Sequence, residues 1–184
     1  MTIKDRLSLL KFSNKLKNIK IIVSDVDGVM TNGDLLFDDN GNETKIFNAL
    51  DGSAIAMALN AGIKIAIISG SKSNSIINRF KKFSKINPED IIIGTENKLP
   101  TLLTLIEKYG FSKEECAYIG DDIIDLAPIH NAGISFAPKN AIKEVKKEAN
   151  IVLSKNGGNG AVRLAIEMIL RAKGNYDEII QSYY

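Results

Sequence analysis

Cysteine occurs once, at position 116, histidine once, at position 130, and tryptophan not at all. A single cysteine excludes a disulfide framework and any multi-cysteine zinc centre within one chain. Cys116 opens a strand-like run, which makes it a buried, inert thiol rather than a nucleophile. His130 lies in a helix tail with no nucleophile elbow nearby, so it reads as a surface or packing residue and not as part of a triad. An excess of charge is missing too. A net charge of +2 at pH 7 argues for neither nucleic acid nor membrane as a partner. No apolar run approaches the length of a membrane span, and residues 1–17 mix Lys, Asp and Arg with Leu and lack a signal-peptide core. Cytoplasmic residence is the expectation, and any chemistry falls to carboxylates and lysines.

What is present is ordinary in bulk: 184 residues, 45% hydrophobic and 25% charged, the size and usage of a single domain over 1–184 with its own core. The stretch that organises the chain is Ile21-Ile22-Val23-Ser24-Asp25-Val26-Asp27-Gly28. Its apolar run predicts a strand buried on both faces. Gly28 then permits a sharp turn and close approach to a ligand. Two carboxylates one residue apart repel, so a cation sits between them or one keeps its proton.

Further apolar runs at 63–68, 91–93, 117–119, 134–136 and 151–153 predict strands, and helical patterns lie between them. Ile3, Leu7, Leu10 and Leu16 predict an N-terminal helix packed on the outside of the domain through that face. Asn40-Gly41 between Leu35-Leu36-Phe37 and Glu43–Phe47 predicts a β-hairpin insert over about 33–47. Asp51 is expected to cap a helix reaching Ala61, and Pro128 to keep the helix after Asp122 short or kinked. Apolar strands alternating with helices specify an α/β fold: a doubly wound, Rossmann-like parallel sheet covered on both sides.

Four polar clusters are expected at the ends of buried strands: Asp25 with Asp27, Ser69, Asn97-Lys98, and Asp121-Asp122 with Asp125. Parallel strands share one end, so the clusters should converge. Taken singly, each is a turn or a helix start. Together, and in this order, they specify an oxygen-rich site suited to Mg²⁺. Lys98 and the Ser69 hydroxyl are placed to hold a phosphoryl group. Lys98 is also unfavourable at a helix N-terminus, which hints at another task.

Asp25-Val26-Asp27-Gly28-Val29-Met30-Thr31, Ser69, Lys98 and Gly120-Asp121-Asp122-Ile123-Ile124-Asp125 resemble the four motifs of the haloacid dehalogenase superfamily. Phe47-Asn48-x-x-Asp51-Gly52 and Gly157-Gly158-Asn159-Gly160-Ala161-Val162-Arg163 narrow the resemblance to its capless branch of 3-deoxy-D-manno-octulosonate 8-phosphate phosphatases. The resemblance implies Asp25 as nucleophile, forming an aspartyl phosphate, and Asp27 as general acid and then base. It implies Mg²⁺ on Asp25, the Asp27 carbonyl and Asp121, with Asp122 and Asp125 fixing waters or Lys98. Ser69 and Lys98 would neutralise the phosphate, while Gly28, Asn48, Asp51, Gly70, Ser71 and Lys72 would lie along a small sugar phosphate.

The stretches from Asp25 to Ser69 and from Ser69 to Lys98 are too short for a cap domain, and an open site selects poorly and admits water. In the resembling branch, hairpins of four subunits associate and a neighbour's C-terminal segment covers the site. Leu35, Leu36, Phe37 and the Gly157–Gly160 run fit that homotetramer, although the glycines also read as a plain strand-to-helix turn. Ser71 and Asn159 stand where the branch usually has arginines, which pair with carboxylate or phosphate, with Lys72 or Arg163 as compensation. The alternatives are a nonulosonate 9-phosphate phosphatase and, from another class, a receiver-like phospho-signalling domain.

Overall fold

A computed structural model describes the chain at every residue except Tyr183. Among the described residues eight strands form: β1 (Ile21–Ser24), β2 (Leu36–Phe37), β3 (Glu43–Thr44), β4 (Lys64–Ser69), β5 (Ile91–Ile93), β6 (Cys116–Ile119), β7 (Ile134–Ala137) and β8 (Ile151–Val152). The helices are α1 (Ile3–Lys11), α2 (Ser13–Lys17), α3 (Ala49–Asn60), α4 (Asn74–Phe80), α5 (Lys98–Lys108), α6 (Leu126–Asn131), α7 (Lys143–Glu148), α8 (Ala161–Lys173) and α9 (Tyr176–Gln181). Six strands make one sheet in the order β5-β4-β1-β6-β7-β8, every pair parallel.

Alternation along each strand divides the core into two layers. Ile22, Ile65, Ile67, Ala117 and Ile119 face Leu16, Ile55, Met57, Leu164 and Met168. Ile21, Val23, Ala66, Ile68 and Tyr118 face Leu102, Leu105, Ile106, Ile129 and Val145. Both faces are apolar because helices cover both, the arrangement that makes the strands read as continuous hydrophobic runs. Each fully buried Ile or Leu contributes about 1.5–3 kcal/mol. β4 and β6 both flank β1, so the chain departs in opposite directions from that strand and a crevice opens at its C-terminal end.

The insert contributes only the antiparallel pair β2–β3. Its turn is longer than the Asn-Gly pair: Asp38 accepts the Asn40 and Asn42 N–H groups at 2.9 and 2.8 Å, and Gly41 takes φ +79°. Two expectations are corrected in the helices. Asn48, not Asp51, caps α3, accepting from Leu50 N. Helix α1 turns its predicted inward face outward: Ile3, Leu7 and Leu10 are 80%, 62% and 74% exposed. Leu9 and Phe12 pack on the core instead, and buried Asp5 joins the Ser154 hydroxyl at 2.6 Å while closing a capping box with Thr2.

Candidate active site

Asp25 leaves the end of β1, its N–H still held by the Ile119 carbonyl of the neighbouring strand. Ser69 ends β4, and Gly120-Asp121 follows β6. Register alone therefore brings these ends together. Asp25, Ser69 and Asp121, with Asp27, Gly28, Asn32, Gly70, Ser71, Asp122 and Asn140, line an open cleft of about 300 Å³.

At its floor, Lys98 reaches in from the first residue of α5. Its ammonium bridges Asp25 Oδ2 at 2.6 Å and Asp125 Oδ1 at 2.8 Å, with side chains almost wholly buried. Burial would lower the Lys98 pKa, but Asp25 and Asp125 outweigh it and hold the group above its usual value. Asp125 has no free oxygen. Its Oδ1 also accepts from Tyr118 Oη at 2.6 Å, and its Oδ2 accepts the Asp121 and Asp122 N–H groups.

Asp121 is different: its Oδ1 is buried without a partner. Carboxylate oxygens of Asp25, Asp121 and Asp125 lie within 4.8 Å of one another, three acids against one lysine. Burial, then Asp125, push Asp25 up to about 7, against the pull of Lys98. Burial, then Asp25 and Asp125, push Asp121 up to about 8. Surplus buried negative charge, an orphaned carboxylate oxygen and all-oxygen donors together fit a hard divalent cation such as Mg²⁺. With Asp125 saturated, Asp25 and Asp121 are the side chains left to hold it. Gly28 (φ +77°) makes the approach possible, since a Cβ there would sit 1.9 Å from Asp121 Oδ2.

The two carboxylates take separate cations: Lys98 pairs with Asp25, and Asp27 pairs with Lys45, a residue the sequence did not single out. Its ammonium contacts Asp27 and Glu43, each at 2.6 Å. Burial opposes the charge on Lys45, but hydrogen bonds to both acids raise its pKa. Glu43 in turn accepts from Ser71 Oγ at 3.1 Å, so the hairpin is stitched to both rims of the cleft. Asn140 was also missed. It donates to Gly28 O at 2.9 Å and accepts from Gly157 N at 2.6 Å.

The remaining candidates divide. Gly70 and Ser71 line the cleft, and Ser69 Oγ accepts from Ser71 N at 3.1 Å. Asp122 stands at the rim, where its Oδ1 accepts from Ile123 N. Asn48 and Asp51, expected along the substrate, do not line this cleft, and Asp51 Oδ2 is buried without a partner. Asn48 Nδ2 donates to Gly158 O at 3.1 Å. Asp51 Oδ1 accepts Arg163 N at 2.7 Å, at the first turn of α8, a helix whose own cap position is a glycine. Lys72 is exposed, its stem lying over Gly94. Arg163, offered as compensation for a missing arginine, pairs through Nε with Glu167 on the same helix at 2.7 Å. Part of the glycine run packs within the chain. Gly158 N donates to Val29 O, and a Cβ on Gly157 would lie 1.9 Å from Gly28 O, so these glycines let a turn pack on the Asp25 loop. Cys116 is buried, its thiol pushed up to about 12, and exposed His130 faces Glu148.

The sequence profile of haloacid dehalogenase-like hydrolases matches residues 73–165. The chain is 39% identical over 160 residues to the 3-deoxy-D-manno-octulosonate 8-phosphate phosphatase of Haemophilus influenzae, covering 87% of each protein. Its structure is similar to that of the Moraxella catarrhalis 3-deoxy-D-manno-octulosonate 8-phosphate phosphatase, crystallised with magnesium, phosphate and KDO. The TM-score there is 0.90 at 35% identity, over 95% of this chain and 98% of that one. It is also similar to the cobalt-bound form of the H. influenzae enzyme, with a TM-score of 0.84 at 39% identity over 88% and 93% of the two chains.

Proposed function

The chain belongs to the haloacid dehalogenase-like hydrolases, and from that premise we propose that it is a Mg²⁺-dependent phosphatase of 3-deoxy-D-manno-octulosonate 8-phosphate. The observation that carries the reading is the pairing of Asp25 with the unpartnered buried oxygen of Asp121 at the sheet's switch point. The likeness to the H. influenzae and M. catarrhalis enzymes supports the substrate.

Asp25, ionised and fixed by Lys98 and by the Val26 N–H at 2.7 Å, attacks the phosphorus. The bond to the sugar oxygen breaks, and Asp27 gives that oxygen its proton. Asp27 then takes a proton from water, which attacks the aspartyl phosphate, releases inorganic phosphate and restores Asp25. Lys98 and the hydroxyl and N–H groups at Ser69 and Gly70 hold the phosphoryl oxygens as charge builds. Asp25, the Asp27 carbonyl and Asp121 would hold Mg²⁺, which would supply positive charge against the transferring group. Asp125 and Tyr118 keep Lys98 aimed at the nucleophile, and Lys45 keeps Asp27 at the rim.

We take residues 1–184 as one cytoplasmic domain that works as a tetramer. Leu35, Leu36, Phe37 and Ile46, all exposed on the hairpin, offer the association surface, and a neighbour's C-terminal segment would close the open cleft. The test is phosphate release from a panel of sugar phosphates. The octulosonate 8-phosphate should exceed nonulosonate 9-phosphates and hexose phosphates in kcat/KM by at least about tenfold, and Asp25→Asn should remove roughly 10³ or more of the rate. Equal, feeble rates on every substrate would overturn the specificity. Turnover surviving in Asp25→Asn would overturn the mechanism.

A further inference from the structure

The net charge of +2 hides a segregation. Residues 1–20 hold six basic side chains (Lys4, Arg6, Lys11, Lys15, Lys17 and Lys20) and a single acid, Asp5. The rest of the chain is therefore net negative. Asp5 is buried against Ser154 and Thr2, so every charged side chain this segment exposes is positive.

The same segment carries the large apolar residues most out of place. At about 100° per residue, Ile3, Leu7 and Leu10 fall within an arc of about 60° on α1. That arc is exposed. Lys4 and Lys11 border it on one side and Arg6 on the other, while Asp5, Leu9 and Phe12 occupy the opposite, inward face. Capping by Thr2, the Asp5–Ser154 bond and the packing of Leu9 and Phe12 fix α1 in this orientation.

We propose that α1, with the lysines of α2, docks the protein on an anionic lipid bilayer, Ile3, Leu7 and Leu10 entering the acyl boundary and the basic side chains reaching the headgroups. An apolar stripe flanked by basic residues with long apolar stems is what an interfacial helix presents. A second copy of the chain is disfavoured, since it would oppose one basic face to another. Nucleic acid would have no use for three exposed aliphatic side chains. A protein groove that wraps a helix cannot form here, because the domain already occupies the other side of α1 and leaves a face suited to a plane. Glu167 shares a hollow with Arg6 and Arg171, but Arg163 holds it, so it does not neutralise the patch. Among the described residues no helix is long and apolar enough to cross a membrane, so the attachment is to the surface.

The test is sedimentation of the full-length, Mg²⁺-loaded protein with vesicles of phosphatidylcholine alone and of phosphatidylcholine mixed with phosphatidylglycerol. Pelleting is expected with the anionic vesicles, weakening as salt rises. Leu7→Ser/Leu10→Ser should lower partitioning at least about tenfold, and Lys4→Glu, Arg6→Glu and Lys11→Glu about fivefold or more each. Turnover of a soluble phosphate ester and the far-UV spectrum should stay unchanged, because none of these residues touches the cleft or the core. Failure to pellet with anionic vesicles, or pelleting indifferent to both sets of changes, overturns the proposal. So does a change of oligomeric state in Leu7→Ser/Leu10→Ser without lipid, which would make the face a contact between copies. None of these readouts depends on the substrate assignment.

Discussion

At the scale of single residues, the site is governed by which charges have partners. Lys45 stands apart from the four motif clusters, yet it supplies the cation that Asp27 and Glu43 share. Nothing local in the sequence marks it, because the contact exists only once the hairpin folds back. Lys45→Met leaves Asp27 and Glu43 facing each other without a cation. We expect kcat to fall at least about tenfold, with the Mg²⁺-induced rise in Tm intact and Lys45→Arg recovering much of the rate. A purely structural lysine would lower Tm and leave kcat unchanged. Gly28→Ala asks the complementary question. Its Cβ would occupy the space of Asp121 Oδ2 at a backbone angle L residues avoid, so Mg²⁺ should no longer raise Tm, as read by thermal melts with and without the ion.

At the scale of elements, Asp51 shows how a motif residue can serve the fold. Helix α8 begins at Gly160, which has no side chain to cap it, and Asp51 from α3 accepts at its first turn in place of a cap. Asp51→Ala should therefore cost about 1–2 kcal/mol in denaturant melts with KM unaltered. Asp51→Asn, which keeps the acceptor oxygen, should lose little. A raised KM with unchanged stability would return Asp51 to the substrate. The sheet was legible because strands buried on both faces leave continuous apolar runs. The convergence of Asp25, Ser69 and Asp121 was legible because parallel strands end together. Helix α1 was half legible. Its sequence carries apolar residues on two opposite sides, Ile3/Leu7/Leu10 and Leu9/Phe12, and periodicity finds a stripe without saying which one faces inward. The buried Asp5 decides it, and a carboxylate turned inward is what hydropathy patterning misreads. Ser71 and Asn159 still lack the arginine chemistry of the resembling branch, and Arg163 pairs with Glu167 on its own helix.

At the scale of the whole molecule, the crowded carboxylates couple stability to protons and to metal. Asp25 and Asp121 are raised from 3.8 to about 7 and about 8, by burial first and then by neighbouring acids. A carboxyl raised on folding favours the folded chain fully below its unfolded pKa, and that contribution is lost as pH rises through the folded value. Metal-free protein should thus lose stability between pH 3.8 and about 8 on account of these two groups. Mg²⁺ binds the ionised forms, so it competes with protons and offsets the same repulsion. The gain in Tm on replacing EDTA with MgCl₂ should therefore be larger at about pH 8.5 than at about pH 6. Asp121→Asn removes one of the clustered charges without breaking a hydrogen bond to Oδ1, because that atom accepts none. It should melt several degrees higher than the parent in EDTA at alkaline pH, and it should no longer respond to Mg²⁺. A Mg²⁺ gain independent of pH, or an Asp121→Asn protein less stable than its parent without metal, would mean that the three acids are held together by something other than the cation their arrangement calls for.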